Sequence, residues 1–240
     1  MNHPTCVWIS GWSAAKEIWM PFLEVFPDQD HLLVDFLSCS SPGELMKELY
    51  HAVSRVNGPV TVIGWSLGAM VALKWMESAA PRVRQAYLIG GAMQFVRSRR
   101  EDCGWDDRVL RQMIRQLKKE PEKVVARFDR NLFSGQEHVA GIAGMWRQTA
   151  PSLPSLEALE AGLQFLREYR FSPTEDSKKV PVCLLFGKED RICPPEGQQQ
   201  WMEAFRQVYF SVWENTGHAP FFTRPDLFKG WLRSGVDQYE

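Results

Sequence analysis

The chain has 240 residues, of which 45% are hydrophobic and 24% charged, as expected of one soluble α/β domain with room for an inserted subdomain. A formal net charge of −1 argues against a strong overall attraction to nucleic acid, and no apolar run approaches the roughly 18 residues that a bilayer span needs. The start, Met1-Asn2-His3-Pro4-Thr5, lacks the basic and apolar regions of a secretory signal, and the five scattered cysteines contain no C-x-x-C. The expected compartment is therefore the cytoplasm, with neither a disulfide framework nor a zinc site.

In chain order, Cys6 to Ser10 reads as a short buried strand, followed by a Gly11-Trp12-Ser13 loop. Ala14 to Phe26 offers a helical face of Ile18, Trp19, Phe22 and Leu23, and Leu32 to Phe36 is a second strand. Ser41-Pro42-Gly43-Glu44 opens a helix running to about Val56, with Ser41 as N-cap and Glu44 closing a capping box. Val60 to Trp65 is the third strand, and a helix that is apolar almost all round follows it. Gln85–Gly90, Val182–Gly187 and Val208–Trp213 are the remaining strands. Strands alternating with helices predict an α/β fold with a mostly parallel sheet of about six strands. The core is expected over 1–96 and 172–240. Residues 97–171 carry no strand pattern but four helical ones, near 105–119, 121–133, 136–148 and 154–169, punctuated by Pro121, Gly135 and Pro151/Pro154. They predict an inserted four-helix lid.

The junction Gly64-Trp65-Ser66-Leu67-Gly68 has the G-x-S-x-G spacing of a nucleophile elbow. A serine on a sharp strand-to-helix turn projects its hydroxyl clear of the sheet. Side chains two residues before and after it would collide, hence the glycines. A serine hydroxyl needs a base, and the base an orienting acid. Asp190 follows the fifth strand, with Glu189 beside it. His218 is the only one of five histidines that follows a core strand. An Asp in such a loop can equally cap a turn, and a loop histidine is often merely solvated. The backbone N–H of Leu67 and of Trp12 are the expected oxyanion donors, with the Trp12 indole walling an acyl pocket or serving only as core packing.

Gly11-Trp12, Gly64-Trp65-Ser66-Leu67-Gly68, Gly187-x-x-Asp190-x-x-x-Pro194 and Gly217-His218-Ala219-Pro220-Phe221 resemble the α/β-hydrolase superfamily. Within it, the G-W-S-L-G elbow, the H-A-P-F ending, Arg127-Phe128 and the segment Leu156 to Phe171 are most similar to the pimeloyl-[acyl-carrier protein] methyl ester esterases of biotin synthesis. The chain departs from many members by Ser10-Gly11 where they have His-Gly and by Phe36-Leu37-Ser38-Cys39-Ser40 where they have a glycine-rich turn. Its first strand is expected near Cys6, without the usual hairpin ahead of it. The resemblance implies a Ser66–His218–Asp190 triad, no metal or organic cofactor, and a carrier-bound acyl ester as substrate.

Between Arg97 and Arg130 eleven Lys/Arg face seven Asp/Glu, a net +4 in a chain of −1. Arg108, Arg111 and Arg115 share one helical face; Lys123, Arg127 and Arg130 share another. Val124, Val125, Phe128 and Leu132 form an apolar neighbour. The composition alone fits two readings equally. One is a carrier-docking rim at Lys123, Arg127 and Arg130 above a substrate-binding underside that includes Trp12, Phe128 and Leu132; the other is an ordinary solvated surface. The sequence therefore reads as a serine esterase, with a general short-chain carboxylesterase or a non-catalytic ligand-binding protein of the same fold as alternatives.

Overall fold

The computed structural model describes residues 4–98, 103–149, 153–195 and 198–236. Arg99, Arg100, Glu101 and Asp102 of the basic stretch, Pro151 and the first three residues lie outside them.

Among the described residues six strands make one sheet: β1 (Thr5–Ile9), β2 (Asp30–Val34), β3 (Val60–Trp65), β4 (Val83–Ile89), β5 (Val182–Gly187) and β6 (Val208–Trp213). Their order is β2-β1-β3-β4-β5-β6 and every neighbouring pair is parallel. β1, β3 and β5 are buried along their whole length, while the edge strands β2 and β6 are partly exposed. That difference explains why the inner strands read as unbroken apolar runs. After β2 the chain returns to the far side of β1, so strand order reverses between β1 and β3. Ligand sites of open parallel sheets form at such a reversal, beyond the carboxyl ends of the strands. Ser66 stands there.

Helices α1 (Pro42–Ser54), α2 (Leu67–Ala79), α8 (Gln198–Ala204), α9 (Pro220–Thr223) and α10 (Pro225–Val236) accompany the sheet. Between β4 and β5 lie α3 (Asp107–Leu117), α4 (Pro121–Asn131), α5 (Gly135–Val139), α6 (Ile142–Thr149) and α7 (Leu156–Glu168). Isolated bridges Gln94–Arg170 and Val96–Trp105 tie this helical segment to the end of β4.

Local chemistry shifts several expected boundaries. The expected strand Leu32–Phe36 is Asp30–Val34, because the Asp35 carboxylate accepts from the Lys16 and Leu37 amides at 3.0 and 3.3 Å and turns the chain. The expected helix over Ala14–Phe26 is a 3-10 helix, Lys16–Val25. In an α-helix the ring of Pro21 would clash with the carbonyl four residues earlier, and the three-residue period puts Trp19, Phe22 and Val25 on the buried side. Ser41 caps α1 without a side-chain bond; Glu44 instead accepts from the Ser40 amide and hydroxyl at 2.7 and 2.9 Å. The expected helix 136–148 is two, α5 and α6, separated at Gly141 with φ of 76°. No helix among the described residues is long and apolar enough to cross a membrane.

Candidate active site

Three strand ends bring Ser66, Asp190 and His218 together. Ser66 follows β3 with φ 55° and ψ −118°, a left-handed conformation that a serine adopts only where its surroundings impose it. The surroundings do so through two glycines. A Cβ on Gly68 would lie 2.3 Å from the Ile9 carbonyl oxygen, and one on Gly64 would lie 2.8 Å from Ala69 Cα. Both spaces are closed by backbone, so the elbow tolerates no side chain at either position.

The His218 imidazole bridges the other two groups. Its Nε2 lies 2.8 Å from Ser66 Oγ and its Nδ1 lies 2.6 Å from Asp190 Oδ2. An ionised carboxylate only accepts, so a neutral imidazole carries its proton on Nδ1 and leaves Nε2 to accept from the serine hydroxyl. Asp190 Oδ1 accepts from the Ile192 and Cys193 amides at 2.8 and 2.9 Å, which fixes the carboxylate plane. His218 and Asp190 are buried, and Ser66 is 4% exposed. Such a chain of contacts can move the serine proton to Nε2 as the oxygen attacks an electrophile.

The main chain of His218 is held from both sides. Its N–H donates to the Leu132 carbonyl at 2.6 Å, and its carbonyl accepts from Trp65 Nε1 at 2.8 Å. Phe221, three residues on, packs edge-to-face on Trp65 and against Trp19, both at 5.0 Å between ring centres. The tryptophan of the G-W-S-L-G motif is thus a brace for the histidine loop. Sequence reasoning missed this, because nothing local to residue 65 marks a partner more than 150 positions away.

Leu67 is the first residue of α2, so its N–H has no intrahelical acceptor. Trp12 lies in the β1 loop opposite. Its indole is nearly buried, donates to the Leu159 carbonyl at 2.9 Å, and meets the Phe128 ring edge-to-face at 4.8 Å. It is therefore wedged between the core and two helices of the β4–β5 segment. Only about 10 Å³ of space lies beside Gly11, Trp12 and Leu67. A groove of about 210 Å³ between α3 and α4 is lined by Trp105, Val109, Met113, Val124, Phe128 and the Arg127 rim, among others. A larger cavity of about 430 Å³ lies behind the Asp190 loop, against Phe186, Ile192, Cys193 and Trp201. Phe128 joins the groove to Trp12. Leu132 lines none of these spaces; its side chain is buried and its carbonyl holds His218.

Glu189 turns away from the imidazole and accepts from the Gly135 amide at 3.4 Å. Burial pushes the Cys193 thiol well above its ordinary range, reinforced by the Asp190 charge, so this neighbouring sulfur stays protonated. Lys123, Arg127 and Arg130 are all exposed on α4. Lys123 pairs with Glu120, whose hydrogen bond and charge raise its pKa, while the main chain of Arg130 accepts from the His138 ring. Among the described residues, no group of three or more His, Cys, Asp or Glu is arranged to hold a metal ion.

A model of the alpha/beta hydrolase family matches residues 6–230. The chain belongs to that family. Among curated relatives, the pimeloyl-[acyl-carrier protein] methyl ester esterase of Nitrosomonas europaea is 26% identical, covering 95% of this chain and 93% of its own. The enzyme of the same name from Aliivibrio fischeri is 24% identical over 97% and 93%. Solved structures share the fold: an esterase from Exiguobacterium antarcticum has a TM-score of 0.79 at 18% identity, covering 98% of this chain and 92% of that one. A bromoperoxidase from Bacillus anthracis reaches 0.82 at 13%, with the same coverage.

Proposed function

We propose that this α/β hydrolase is a serine esterase working through an acyl-enzyme, with Ser66 as nucleophile, His218 as base and Asp190 as orienting acid. The observation that carries the reading is the unbroken contact chain from Ser66 Oγ through the imidazole to Asp190, at 2.8 and 2.6 Å. Ser66 Oγ attacks the ester carbonyl carbon while its proton passes to His218 Nε2. The N–H groups of Leu67 and Trp12 receive the oxyanion. The carbon–oxygen bond to the alcohol breaks, and the imidazolium returns the proton to the departing oxygen. Water then repeats the sequence on the acyl-enzyme and releases the acid, leaving Ser66 protonated. Asp190 keeps the Nδ1 tautomer and stabilises the imidazolium.

For the substrate we propose the methyl ester of a pimeloyl chain on acyl carrier protein, with residues 97–171 as the lid that receives it. The names of the full-length relatives support this, as does the groove whose Phe128 wall meets Trp12 and whose rim carries Arg127. Phe128 is the wall between acyl chain and nucleophile, and Leu132 is the support behind the base. The exposed charges of α4 face an acidic carrier, Arg127 and Arg130 more effectively than the already paired Lys123. The test is rescue of a biotin-requiring bacterium that lacks its own esterase. Growth with the wild-type gene and none with Ser66→Ala is the expected result. Failure of the wild type to rescue, combined with rapid hydrolysis of short p-nitrophenyl esters, would leave a general carboxylesterase.

A further inference from the structure

The helical segment grips the histidine loop through three residues of the stretch 132–137. The Leu132 carbonyl takes the His218 amide at 2.6 Å, Ser134 Oγ donates to the Asn215 carbonyl at 3.2 Å, and Glu137 Oε2 takes the Gly217 amide at 3.0 Å. The approach is close enough that a Cβ on Gly217 would stand 2.3 Å from the Leu132 carbonyl oxygen. Nothing wider than glycine fits there.

Glu137 is the unusual member. It is 5% exposed, whereas glutamates are rarely buried without a charged partner. Its Oε2 also accepts from the Ser134 amide at 2.7 Å, closing a capping box for α5, and its Oε1 is buried without a hydrogen-bond partner. A half-satisfied carboxylate is a costly way to cap a helix of five residues. Its second bond explains its placement: it reaches 80 positions along the chain to the peptide that precedes the base.

We propose that Glu137 is a positioning residue for the reaction, fixing the Thr216–Gly217 peptide just ahead of His218 so that Nε2 stands within hydrogen-bond reach of Ser66. The proposal rests on His218 as the base. The Gly217 amide has no other acceptor among the described residues, so removing the carboxylate leaves a buried donor unsatisfied and lets the loop relax. Proton transfer depends on fractions of an ångström at the 2.8 Å contact, and a misplacement near 1 Å costs about a hundredfold.

The experiment measures p-nitrophenyl acetate hydrolysis by Glu137→Ala and Glu137→Gln, each checked for a wild-type circular dichroism spectrum. Glu137→Ala is expected to lower kcat roughly 10- to 100-fold with KM within about twofold. Glu137→Gln, whose amide oxygen still accepts both N–H groups, is expected within about threefold of wild type. Wild-type kcat in folded Glu137→Ala would overturn the proposal, as would a loss confined to KM or an equal loss in both variants. If Glu137→Ala does not fold, Ser134→Ala decides. Loss of its bond to Asn215 should lower kcat by roughly 3- to 10-fold at constant KM, and an unchanged kcat would count against the proposal. Ser66→Ala on the same ester keeps the questions apart. If it retains turnover, the base assignment itself falls; if it is dead while Glu137→Ala runs at full rate, only the positioning role falls.

Discussion

At the scale of single residues, the proposed chemistry depends on a serine whose backbone is held at φ 55° and a histidine held at four points, two on its ring and two on its main chain. Ser66→Ala and His218→Ala are each expected to cut ester turnover by roughly a thousandfold or more at unchanged melting temperature, because triad members act as a unit. The glycines around the serine serve the fold rather than the reaction. Gly68→Ala, forced against the Ile9 carbonyl, should lower stability by about 1–3 kcal/mol, measured by urea denaturation. The cysteines divide by environment. Burial pushes the Cys6 thiol beyond the ordinary thiol range and raises Cys39 and Cys183 to about 11, while Cys103 is exposed. A raised thiol pKa keeps those sulfurs protonated and slow at pH 8. Thiol titration of the native protein at that pH should find one fast group, Cys103, and five after unfolding.

At the scale of elements, what the sequence showed depended on how local its cause was. The elbow was legible because its glycines are demanded by contacts within a few residues of Ser66 and by the adjoining β1. The parallel sheet was legible because buried strands must be apolar on both faces. The 3-10 helix was not, since the aromatic spacing of Trp19 and Phe22 suits either period and Pro21 decides between them. The Ser134-x-x-Glu137 box could have been found by its spacing. Its second task could not, because Gly217 lies far away in sequence. The same holds for Trp65, Leu132 and Glu189, whose roles are created by the fold. The choice between Asp190 and Glu189 rests on adjacent residues pointing apart. The first meets the imidazole and the second meets Gly135.

At the scale of the whole molecule, a near-neutral chain concentrates positive charge in residues 97–130, which carry a net +4. Part of that charge is spoken for: Arg97, Arg111, Lys118 and Lys123 each pair with a carboxylate of the same segment. Carrier docking should therefore depend more on Arg127 and Arg130. Reversing Arg127 to Glu is expected to lower kcat/KM for a carrier-bound ester at least tenfold, and more than Lys123→Glu does. A small soluble ester should be turned over by both variants at the wild-type rate. Salt should reproduce the selective loss, because exposed charges are screened over about 8 Å at physiological ionic strength. Equal sensitivity of the two substrates would return the basic helices to the role of a solvated surface.

The acyl-enzyme on Ser66 is the claim from which the rest follows, and one measurement addresses it directly. The protein is mixed with p-nitrophenyl acetate, quenched in acid during the initial burst, digested and analysed by mass spectrometry. The acetyl group should reside on the peptide containing Ser66, at stoichiometry near one per chain, and be absent from Ser66→Ala. Steady turnover with no acylated peptide, or acetyl found on Cys103 instead, would contradict the mechanism.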